Sequence, residues 1–128
     1  MTTSNIEIVI SLEESNLDDE ELQEEVENLL PEIKEVDGVE QAGLVEVTEV
    51  PEGSKSVGGF VLGMLKTIIN PSSLQILFFF LRENMGHKKI KIELKARGGK
   101  TLKLEASGHR ELEIAMQLAQ DFIKNNRL

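Results

Sequence analysis

Few residues in this 128-residue chain could do chemistry, and their spacing limits what they can do. Gly53-Ser54-Lys55-Ser56-Val57-Gly58-Gly59 has the glycine spacing of a phosphate-binding loop. The Lys-Ser/Thr pair that must follow the last glycine is replaced by Gly59-Phe60. With no lysine there, nothing reaches the β and γ phosphates, and a flexible connector is the better reading. His87 and His109 are the two histidines, beside Lys88-Lys89 and Arg110 respectively. Both settings disfavour an imidazolium, and neither offers carboxylate or histidine neighbours at metal-ligand spacing. Carboxylates abound in the N-terminal half, but they crowd a solvated helix face and form no isolated acid/base pair. The alternating oxygen-ligand loop of calcium sites is missing. Cysteine is absent, which removes disulfides, thiolate metal sites and a cysteine nucleophile. The expectation is a non-enzymatic protein with no cofactor, metal or small-molecule substrate.

Two surface features remain. The first is a basic ladder in which Lys89, Lys91, Lys95 and Arg97 alternate along one strand, with Lys103 opposite. RNA-binding sheets use such a face together with stacking aromatics. Here Trp and Tyr are absent and the five Phe residues are clustered. Glu93 and Glu105 interrupt the ladder, and Glu7 and Glu46 can sit on neighbouring strands. Cross-strand pairing, at roughly 0.2–1 kcal/mol per pair, then accounts for the pattern. Nucleic-acid binding through residues 88–103 is the alternative function.

The second feature is the apolar stretch from Val57 to Leu81. Its length could cross a bilayer, but Lys66 lies within it and Asn70-Pro71-Ser72-Ser73 would fall near the midplane with unsatisfied polar groups. Two buried helices are expected instead. Leu77-Phe78-Phe79-Phe80-Leu81 is apolar around a whole helix circumference, more than one face can bury against a small sheet. Gly59 and Gly63, four apart, would admit another helix closely. The surplus at Phe60, Leu77, Phe78, Phe79 and Leu81 predicts an oligomer interface, a partner groove or peripheral membrane contact.

The elements that position these residues follow from periodicity. Ile6, Ile8, Ile10 and Leu12 alternate as one face of a strand. Ser15 and Asn16 offer caps to a helix whose first turn holds Asp18, Asp19, Glu20 and Glu21, where the helix dipole favours anions. Leu22, Val26, Leu29, Leu30 and Ile33 make its apolar stripe, and Pro31 should kink it or end it near Leu30. Residues 40–50 read as a second strand and 51–56 as a loop. Helices are expected over 57–69 and 71–84, the second started by Asn70 as cap and Pro71 at the first position. Ile90, Ile92 and Leu94, then Leu102, Leu104 and Ala106, face inward from a hairpin turning at Gly98-Gly99. A last helix buries Leu112, Ala115, Met116, Leu118, Ala119, Phe122 and Ile123. The expected fold is a single α+β domain over residues 1–128. It has a four-stranded mixed sheet with helices packed on one face, in the order β-α-β-α-α-β-β-α, and opens with a right-handed βαβ crossover.

With 40% hydrophobic and 29% charged residues, such a chain can enclose a core. The net charge of −9 is unevenly spread: residues 1–52 hold 17 acids against Lys34 alone, and the remainder holds 13 bases and six acids. The two halves either attract each other within the fold or face different partners. The N-terminal residues show neither a basic start nor an apolar run, so a cytoplasmic protein is expected.

An acidic first helix precedes an apolar segment bearing Gly58, Gly59 and Gly63 and a second helix ending Phe79-Phe80-Leu81-Arg82. The hairpin Ile90-Lys91-Ile92-Glu93, Gly98-Gly99-Lys100, Leu102-Lys103-Leu104-Glu105-Ala106-Ser107-Gly108 and a short terminal helix follow. Together these resemble the effector-associated constant component family. Its members are small bacterial accessory domains encoded beside effectors such as peptidases in NTP-dependent conflict and signalling systems. The resemblance spans nearly the whole chain and rests on pattern. It implies a non-enzymatic coupling module that docks onto an effector or regulatory protein, and it brings no catalytic residues.

Overall fold

The computed structural model describes residues 5–13, 16–49, 55–85, 88–96 and 99–125. The alternating isoleucines form β1 (Ile6–Glu13), with Ile6, Ile8, Ile10 and Leu12 all buried. Helix α1 (Asp19–Lys34) starts at a capping box built by Asp18, beyond the expected caps. The Glu21 N–H donates to Asp18 Oδ1 at 2.8 Å and the Asp18 N–H donates to Glu21 Oε1 at 3.2 Å. Such a box satisfies two backbone donors that the first turn leaves free. Pro31 neither ends nor replaces this helix. It sits on the exposed side of the helix, which runs on to Lys34.

After β2 (Val39–Glu46) the chain departs from its sequence reading. Residues 57–69 do not form a helix. They pass through β3 (Ser56–Val57) and a turn into β4 (Phe60–Ile69), the longest strand. Gly58 and Gly59, with φ of +60° and +87°, form the turn, and Val57 pairs with Phe60 across it. Positive φ at both central residues is the signature of a type I′ hairpin turn, whose twist matches that of the strands.

The sheet therefore has six strands where four were expected. Its order is β2-β4-β1-β5-β6, with β5 (Lys89–Lys95) and β6 (Thr101–Ser107) as the anticipated hairpin and β3 also paired to β4. Every hydrogen-bonded pair is antiparallel. Strands β1 and β2 run parallel only because β4 lies between them, antiparallel to both. The expected direct βαβ pairing is thus split by a third strand.

Gly63 interrupts β4 with φ of +69° and shifts its alternation. Beyond it, Leu65, Thr67 and Ile69 oppose Ile10, Ile8 and Ile6 on the helix-covered face. Before it, Val61 joins Val9 and Val45 in a small cluster separate from the main core, with Met64 packed against it. The buried Gln23 of α1 accepts the Gly63 N–H at 2.8 Å and so holds the irregularity in place. Gln23→Met keeps the volume and strands that buried N–H. The substitution also removes the Gln23 Nε2, which is buried without a partner, so the expected net loss in urea denaturation is about 1 kcal/mol, and a raised midpoint would refute this role.

Three helices cover one face. Helix α1 lies on β4 and β2, and α3 (His109–Asn125) lies on β6 and beside α2 (Leu74–Met85). Ile8, Ile10, Ile90 and Ile92 of the middle strands are at most 1% exposed. Their cover is α2, which contributes Leu74, Leu77, Phe78, Leu81 and Met85 to the same core. The restart signal holds: Asn70 Oδ1 accepts the Ser72 N–H at 3.0 Å, and Pro71–Ser73 form a short 3-10 turn leading into α2.

Candidate functional site: two open surfaces

The apolar run 77–81 divides by helix angle. Leu77, Phe78 and Leu81 are core, at 0%, 2% and 0% exposed, and are unavailable as contact residues in the folded chain. Phe60, at the start of β4, is half-buried opposite Val57 and Glu46. Phe79 alone of the five is open, at 56%, and Ile76 one turn earlier is open at 46%.

Phe79 is held by charge. The Arg82 guanidinium lies 5.5 Å from its ring centroid, within cation–π range, and Arg82 Nη1 donates to Glu113 Oε1 of α3 at 2.7 Å. This ion pair is part-exposed, so it fixes geometry more than it stabilises. Beside it, a pocket of about 210 Å³ opens between α2 and α3, lined by Gln75, Phe79, Arg82, Glu113, Met116 and Gln117 among others. It has room for one large apolar side chain. Arg82 Nε is buried at its edge without a hydrogen-bond partner.

The second surface is the face of the sheet away from the helices. Val9, Val45 and Met64 line a trough of about 640 Å³ together with Glu7, Lys66, Lys91, Glu93, Lys95, Lys103 and Glu105. The basic ladder is present here, and it is paired. Lys95 meets Glu7 at 3.2 Å, Lys91 meets Glu13 at 3.4 Å, and Lys89 lies 3.8 and 3.9 Å from Glu13 and Glu105. Lys103 stands directly across from Glu93 in the hairpin register. Arg97 lies outside the described residues. Glu46 is on β2, with β4 and β1 between it and β5.

The remaining sequence candidates do not converge. Gly58 and Gly59 are spent in the β3–β4 turn, while Gly53, Ser54 and His87 lie outside the described residues. His109 opens α3. Among the described residues no cluster of three His, Asp or Glu side chains could hold a metal, and no helix is long and apolar enough to cross a membrane.

One apolar feature was missed by sequence reasoning. Ile114 and Leu118 of α3 are 52% and 48% exposed, although Leu118 reads as part of the buried face. The signal was their offset from the true stripe, Leu112, Ala115 and Ala119, by more than a quarter turn of the helix. No protein-family model matches the chain, and neither a curated protein nor a solved structure is significantly similar to it.

Proposed function

We propose that this chain is a non-enzymatic interaction module that grips a partner protein through the outer side of α2. The observation that supports this best is Phe79. A large ring stands on the outer side of the helix under an arginine that a second helix anchors, beside a pocket of side-chain size. Protein interfaces concentrate their binding energy in such arrangements, where an aromatic or Arg anchor adjoins a pocket that takes the partner's side chain. A coupling role beside an effector or regulatory protein in the cytoplasm, as the family resemblance implies, belongs to the same proposal.

The test is the size of the assembly that contains the tagged chain in native extract. Phe79→Asp is expected to release the chain from a larger complex, while Gln120→Asp, on another part of α3, leaves that complex intact. If Phe79→Asp and wild type migrate identically, the α2 surface is not the grip.

A further inference from the structure

We infer that the free edge of β6 is a self-complementary dimer interface and that its occupant is a second copy of this chain. This goes beyond the α2 reading, uses different residues, and stands if that reading fails. Strand β6 ends the sheet, and among the described residues nothing pairs with its outer side. The Ala96 N–H donates to the Lys100 carbonyl at 2.8 Å, which sets the hydrogen-bond phase of the hairpin. Leu102, Leu104 and Ala106 therefore spend their backbone groups on β5, while Thr101, Lys103 and Glu105 turn theirs outward. An open row of this kind is a template for another strand unless the protein blocks it. Of the usual blocking devices the strand carries charge, Lys103 and Glu105, which a partner strand has to match. Proline is absent from β6, and the outward Ser107 N–H alone is capped, by Glu111 Oε1 at 2.9 Å.

The charges on this strand select one partner and one register. Two copies meeting antiparallel about a two-fold axis must match odd residues with odd to keep both sheet faces aligned. Centring the axis on Lys103 or on Glu105 sets like charges against each other. Centring it on Leu104 places Lys103 opposite the second copy's Glu105, and the reverse, so both pairs are of opposite sign. The same register puts the half-buried Leu104 against its own copy on the helix side. Above it, α3 supplies the apolar cover. Glu113 and Gln117 face α2, and Ile114 and Leu118 lie on the other flank, turned toward the β6 edge and open to water. Joining two edges about this axis makes one continuous sheet and brings the two Ile114/Leu118 flanks together.

Light scattering on the full chain across a concentration range tests this. A dimer mass is expected for wild type. Lys103→Glu and Glu105→Lys each place like charges in both symmetry-related pairs and should each weaken the dimer at least about tenfold. An equimolar mixture of the two variants restores opposite charges in both pairs and should recover the dimer mass. Both sites are exposed, so circular dichroism of each variant should match wild type. Phe79→Asp should leave the dimer unchanged. A wild-type monomer at every concentration, a dimer indifferent to both reversals, or a mixture that fails to recover would each overturn the proposal.

Discussion

Phe78→Asp is expected to unfold the chain, whereas Phe79→Asp, one residue along, should leave it folded. Phe78 is 2% exposed in the main core among Leu74, Leu77 and Leu81. Losing a buried Phe ring alone costs about 3–5 kcal/mol, and an unpaired carboxylate in its place costs more. Domains of this size have about 5–15 kcal/mol in total, so the substitution consumes most or all of it. Phe79 gives up a cation–π contact at an exposed site, about 0.5–1 kcal/mol, or a few degrees of melting temperature. Thermal melts followed by circular dichroism separate the two outcomes. Two cooperative melts within a few degrees of each other would show that the helix is rotated from its described orientation.

Gly63→Val should be the second most damaging single change, at about 2–4 kcal/mol. Its φ of +69° is a left-handed conformation that costs a β-branched residue roughly 1–2 kcal/mol or more. A Cβ there would also lie 3.0 Å from the Leu12 carbonyl oxygen and 3.1 Å from Leu22 Cδ2. The carbonyl belongs to the neighbouring central strand and cannot step aside, so overpacking adds a further 1–3 kcal/mol or so. Gly43, also in the sheet but with open space where a Cβ would go, serves as the control. Urea denaturation should show a large loss for Gly63→Val and a small change for Gly43→Ala. Equal midpoints for Gly63→Val and wild type would refute the left-handed, tightly packed backbone at Gly63.

Much of this fold is legible in residue order, and the part that is not has a physical cause. The β1 isoleucines, the Asn70-Pro71 restart and the Lys89–Ser107 hairpin each bury one face, so period and capping chemistry identify them. Strand β4 is apolar on both faces, with Leu65 and Ile69 under the helices and Val61 in the smaller cluster on the other side. Its hydrophobicity therefore does not alternate, and helix and strand look alike. The decisive local signals were Gly58-Gly59, a pair that no helix interior welcomes and a two-residue hairpin turn requires, and the β-branched run Thr67-Ile68-Ile69. Reading that stretch as a helix lost two strands and with them the sheet order.

The site was legible in kind and not in detail. The run 77–81 does hold more apolar surface than one helix face can bury, as its composition implies. Which rings lie inside depends on the rotation of α2 over β1 and β5, and that is fixed by packing partners far away in sequence. The basic ladder was read more fully, because cross-strand pairing depends on hairpin register and the turn fixes that register. Lys95 with Glu7 and Lys91 with Glu13 add the β1 carboxylates, so charges from the acidic first half and the basic second half neutralise each other within one sheet.

The most direct test of the interaction role places a photo-cross-linking phenylalanine analogue at position 79 and irradiates it in the native cell. The account predicts a discrete adduct with one partner protein, absent when the same analogue replaces the exposed Gln120. No adduct at 79, or the same diffuse set of adducts from both positions, would contradict it.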